Sequence, residues 1–167
     1  MQSTDKLQIT TPSEREVVMT RIFDAPRQLV FDAWTKPELL RRWLTANGRE
    51  LAVCEVDLRV GGAMRMVWRA AGKKDVGLRG IYREIGTPER LVHTESWEDW
   101  PTSEVTVTTL LIERDGKTTV TGSILYPSQE VRDAVLKAGT AKGAAESHDN
   151  LELLLASLSE AASSNVA

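Results

Sequence analysis

The residues best suited by type and spacing to do chemistry are His93 and Glu95. They lie two apart in Leu91 to Glu98, an alternating stretch that reads as a strand. Leu91, His93, Glu95 and Trp97 then share one face, and Val92, Thr94 and Ser96 the other. Leu91 and Trp97 mark the first face as the buried one, which points His93 and Glu95 inward. A carboxylate in an apolar interior resists ionisation unless it is paired. So placed, Glu95 can act as a general acid or base, or anchor the polar group of a ligand. His93 can polarise or deprotonate the same ligand. The structural alternative is a buried Glu95 satisfied by Arg79 or Tyr82 on the preceding strand, with His93 a core or rim histidine.

His148 falls on the apolar face of a helical repeat with Ala141, Ala145 and Leu151, where it can line an inner wall. Ser147 precedes it directly, and adjacent helical positions do not face each other, so the two form no nucleophilic dyad. Two histidines and a glutamate lack close ligand spacing such as His-x-x-x-His, and no metal site or cofactor is expected. Cys54 reads as a small buried hydrophobe in a strand, outside any basic setting that would create a thiolate. Arg41-Arg42, Lys73-Lys74 and Arg65 with Arg69 read as solvated faces. Gly-rich phosphate loops and nucleic-acid signatures are absent.

The elements that must position these residues follow from pattern. The chain has 167 residues, enough for one domain with a sizeable core, and a net charge of −3, which steers it towards neither nucleic acid nor an anionic membrane. The single cysteine excludes an intrachain disulfide and fits a reducing, cytoplasmic setting. Met1 to Pro12 lacks the apolar run of a signal peptide, and no apolar run is long enough for membrane insertion.

Residues 1–13 read as a flexible arm. Glu14 to Phe23 is a strand, and Asp24 can cap the helix that follows. Leu29, Val30, Ala33 and Trp34 fall on one face of that helix, and Glu38 to Leu44 forms a second short one. From Leu51 the period becomes two. Strands are expected over 51–60, 63–70, 76–85, 91–98, 103–114 and 117–126, separated by turns such as Gly61-Gly62 and Asp115-Gly116. A helical repeat then runs from Glu130 to Leu158, interrupted by Gly139 and Gly143, where a kink or close sheet approach is expected. Residues 159–167 read as a disordered tail. The order predicts an α+β fold for residues 14–158: a curved antiparallel sheet of about six or seven strands on one long C-terminal helix.

The run Phe23-Asp24-Ala25-Pro26, then Val30-Phe31-Asp32-Ala33-Trp34-Thr35, Pro37-Glu38 and Trp43, resembles the opening of activator-of-heat-shock-protein-ATPase-like proteins of the START-like (SRPBCC) superfamily. Asp57-Leu58-Arg59 with Gly61-Gly62, Gly80 to Ile85, Pro88 to Val92, Tyr126-Pro127-Ser128, Arg132-Asp133-Ala134, Gly139 and Ala145-Glu146-Ser147 extend the resemblance over roughly residues 14–158. It implies a helix-grip fold with a cavity between sheet and helix. Its members include ligand carriers, cyclase-like enzymes, toxin-sequestering proteins and a co-chaperone domain, so the fold alone does not select an activity. Two departures, Leu44 after Trp43 and Gly143-Ala144, are expected to widen the pocket.

The expected lining is Trp34, Trp43, Met64, Met66, Trp68, Tyr82, Glu95, Trp97 and His148. The first expectation for function is binding of a small hydrophobic or amphipathic molecule in that cavity. The second is a cyclase- or hydrolase-like enzyme with Glu95 as acid or base and His93 assisting. The third, suggested by the family name, is stimulation of a chaperone ATPase in a stress response. A homodimer stays open.

Overall fold

In a computed structural model, residues 6–45 and 47–164 are described. The strands are β1 (Gln8–Thr10), β2 (Glu16–Phe23), β3 (Glu50–Val56), β4 (Ala63–Arg69), β5 (Val76–Gly86), β6 (Arg90–Trp97), β7 (Trp100–Arg114) and β8 (Lys117–Leu125). The helices are α1 (Arg27–Thr35), α2 (Pro37–Trp43), α3 (Gln129–Lys137) and α4 (Thr140–Ser164). All strands join one antiparallel sheet in the order β1-β2-β8-β7-β6-β5-β4-β3.

The α+β helix-grip architecture is as expected from the alternation of the strands and the terminal helical repeat. Three details differ. The sheet has eight strands rather than six or seven, because Gln8–Thr10, inside the segment read as an arm, pairs with Val18–Thr20 of β2. The terminal helical segment is two helices: Gly139 adopts φ +90°, a left-handed conformation that ends α3 and lets the chain restart as α4. α4 then continues to Ser164, so residues 159–164 of the expected tail are helical.

Local chemistry explains the other boundaries. Asp115 and Gly116 both take positive φ, as a two-residue hairpin turn requires. Ser128 caps α3 by accepting from the Val131 amide at 3.2 Å. Asp24 does not cap α1; Pro26 occupies the cap position, with no side-chain acceptor.

One face of the sheet turns inward, and its core has two parts. The larger combines Phe23, Leu91 and Leu111 of the sheet with α1, α2 and the Leu151, Leu154 and Leu155 face of α4. The smaller packs Val135 of α3 on Val17, Val105, Val107 and Tyr126. Between them Gly122 faces inward beside Met19 and Thr109, and no atom lies within 4 Å of where its Cβ would be. Arg21, 2% exposed, crosses the interior from β2 to α4 and donates to Asp149 at 2.6 Å and Glu152 at 3.0 Å. Both carboxylates are largely exposed, so the pair carries a buried cation to a wet edge.

Candidate functional site

The strand alternation places Leu91, His93, Glu95 and Trp97 on the inner face of β6. In register, His93 sits between Tyr82 of β5 and Val107 of β7, and Glu95 sits opposite Val105 of β7. His93 Nε2 lies 2.8 Å from Glu95 Oε2. The histidine is buried and the glutamate side chain 30% exposed, so the carboxylate is the end of the pair that meets the cavity. His93 Nδ1 is buried with no hydrogen-bond partner among the described residues. With Nε2–H donating to the carboxylate, Nδ1 is an unused acceptor. The salt bridges of Arg79 and Arg65 go to Glu98 in the β6–β7 turn, leaving no arginine or lysine bridged to Glu95 among the described residues.

Glu95 lines a cavity of about 60 Å³ with Leu78, Trp97, Ser103, Val105, Ile124, Tyr126, Val135 and Thr140. The sheet supplies its floor, α3 its roof through Val135, and the start of α4 its rim through Thr140. The β6–β7 register shifts between Glu95 and Trp97, which widens the hairpin where the cavity lies. Ser103 satisfies that irregularity: its Oγ donates to the Trp100 carbonyl at 2.6 Å and accepts from the Trp97 amide at 3.4 Å. Burial, with the Glu95 charge adding to it, pushes the Tyr126 phenol up to about 12. Tyr82 is pushed up further, by burial first and then by the neighbouring Cys54 and Glu95 charges.

Most of the expected lining packs elsewhere. Trp43, Tyr82, Met64 and Met66 are buried parts of the larger core, with Trp34 and Trp68 packed against it. Trp43 donates to the Ala33 carbonyl at 2.8 Å, and Trp68 to the Leu44 carbonyl at 2.8 Å. His148 is wedged among the rings of Phe23, Trp34 and Trp43 at centroid distances of 6.0, 5.7 and 6.1 Å, and its Nδ1 donates to the Ala144 carbonyl at 2.7 Å. Burial lowers its pKa. These side chains fill the space a large pocket would need, and neither Leu44 nor Ala144 lines the cavity. Burial also raises the Cys54 thiol, against a smaller pull from Arg41. A second hollow of about 280 Å³, lined by Phe23, Asp24, Glu152, Leu155, Ala156 and Ser159, contains none of the expected residues.

Thus Glu95, His93 and Trp97 share the inner face of β6, with Glu95 and Trp97 lining the cavity and His93 buried behind Glu95 rather than in the lining, while Trp34, Trp43 and His148 form a separate aromatic cluster. Ser103, Val105, Ile124, Tyr126 and Thr140 were not singled out from sequence. Period-two counting along β7 and β8 carries the signal for the first four; the fold of α3 over them does not show in any local pattern.

A sheet gripping a terminal helix, with an inward carboxylate under a short helical roof, defines a helix-grip domain. The chain belongs to the family described as activator of Hsp90 ATPase homolog 1-like protein, whose model matches residues 24–156. A crystal structure of a protein from Rhodobacter sphaeroides is 31% identical, with a TM-score of 0.86, covering 92% of this chain and 99% of that one. A protein from Nitrosomonas europaea is 23% identical with a TM-score of 0.80, covering 90% and 99%. CalU16 from Micromonospora echinospora is 21% identical with a TM-score of 0.62, covering 92% and 87%; it and the Nitrosomonas protein share the fold. No curated protein sequence matches this chain. Among the described residues no helix is long and apolar enough to cross a membrane.

Proposed function

We propose that the chain binds a small amphipathic molecule in the cavity between the sheet and its terminal helices, with Glu95 as the polar anchor. The observation that carries this reading is a carboxylate facing a mostly apolar cavity while paired, among the described residues, only to a histidine. Leaving a carboxylate so placed costs stability that a purely structural residue would not require. At about 60 Å³ the cavity is well below the roughly 300 Å³ or more of a site for drug-sized ligands. The natural ligand is therefore either very small, or enters as α3 lifts at Gly139.

Isothermal titration of the full chain with isobutanol, a compact amphipathic probe, tests the reading. Binding to the wild type that is lost when Val135→Trp fills the cavity supports it. Equal heats from both proteins, or none from either, count against it.

The 2.8 Å His93–Glu95 contact also favours a second reading, in which the carboxylate removes a proton from a bound substrate and His93 holds it in place. In that case Glu95→Gln would abolish turnover and retain binding; unchanged turnover would remove Glu95 from the chemistry.

A further inference from the structure

We infer that the molecule held at Glu95 is a small amine, bound as its ammonium form. This rests on the reading of the cavity as a binding site and names the class of ligand. Three observations point to it. First, among the described residues Glu95 is the one charged side chain in the lining, the rest being Leu78, Val105, Ile124, Val135, the aromatic Trp97 and Tyr126, and the hydroxyls of Ser103 and Thr140. Second, the carboxylate has a histidine as partner but no bridged arginine or lysine among the described residues, so it retains acceptor capacity directed at the cavity. Third, Trp97 and Tyr126 present aromatic rings in the same wall, and such rings attract cations across their faces.

Ser103 is already committed at both its donor and acceptor positions, so it does not compete for the ligand's polar group. An anion would meet the Glu95 charge across an apolar space. Its only inducement is the start of α4 at Thr140, whose first-turn amides carry a partial positive charge. A neutral alcohol can donate to Glu95, but it brings no charge of its own to offset that of the carboxylate. The cavity has room for about five water-sized groups, which sets the apolar body at three to four carbons.

The test is a matched series, isobutylamine, isobutanol and isobutyrate, titrated at neutral pH into the full-length wild type and Glu95→Gln. Affinity is read from the Trp97 indole and Val105 and Val135 methyl resonances. The amine should bind about tenfold or more tightly than the alcohol, the margin expected when the donor as well as the acceptor carries a charge, and the carboxylate weakest. Glu95→Gln should bring amine and alcohol to within about threefold, the amine losing more affinity than the alcohol, with the fold unchanged. Equal binding of amine and alcohol, or a preference for isobutyrate, would overturn the amine assignment and leave the cavity reading standing. No binding of any member would overturn both. Should Glu95→Gln fail to fold, the order of affinities in the wild type alone decides.

Discussion

At the scale of single residues, the account turns on a pair whose two members are unequally buried. His93 is closed in and Glu95 partly wet, so the two should respond differently to truncation. His93→Ala removes a buried ring and the one partner of the carboxylate. Urea denaturation should register a loss of about 2–3 kcal/mol. Glu95→Gln keeps shape and can still meet His93, and should cost less than about 1 kcal/mol in the same assay. The reverse ranking would mean that the glutamate, not the histidine, carries the structural role. His148 offers a separate check through pH. Its folded pKa is held below the ordinary 6.5 by burial. Above 6.5 both folded and unfolded forms are neutral and nothing is lost. As pH falls below 6.5 the unfolded chain takes up a proton that the folded one refuses, so stability should decline from about pH 6.5 downward. Histidine proton resonances across pH 4–8 should show His148 titrating below 6.5, and His148→Gln should flatten the slope of urea midpoint against pH in that window. The two tyrosines behave oppositely. Both phenols are raised by burial, so the folded protein should show no tyrosinate absorbance near pH 10, and stability should fall as pH climbs past it.

At the scale of elements, glycines mark where backbone geometry decides. Gly139 holds φ +90° at the joint of α3 and α4, so Gly139→Ala should destabilise by about 1–2 kcal/mol in urea melts, although open space surrounds it. Gly122 is the converse. It sits in a regular strand, faces inward and meets nothing, so Gly122→Ala should stabilise by about 0.5–1 kcal/mol through lower unfolded-state entropy. Gly80 stands between these: a Cβ there would overlap the Thr94 carbonyl across the β5–β6 pairing, and Gly80→Ala should distort that ladder. The periodicities of β2 to β8 and of the two short helices were legible because each alternation or 3.6-residue repeat is local. β1 was not, since the three residues Gln8–Thr10 are too few to show an alternation and become a strand only by pairing with β2. The α3–α4 break was half-legible: Gly139 signalled an interruption, but the sequence does not distinguish a kink from a full stop and restart.

At the scale of the whole molecule, the inward direction of His93 and Glu95 could be read from alternation, whereas the size of the space before them could not. Cavity volume depends on how several elements fill one interior. Trp34, Trp43 and His148 consume one end by packing their rings at tilted and edge-on angles, and Val135 of α3 closes the other. Aromatic and methionine content therefore reported core mass more than pocket wall. What is left is a small space over Glu95, under a helix that meets α4 at a left-handed glycine.

The most direct measurement is of intermolecular NOEs between isobutanol and the methyl-labelled full chain. Contacts are expected from the probe's methyls to Val105, Val135 and Ile124, around Glu95. Contacts confined to Leu155 and Phe23 beside the second hollow, or no contacts at saturating probe, would contradict it.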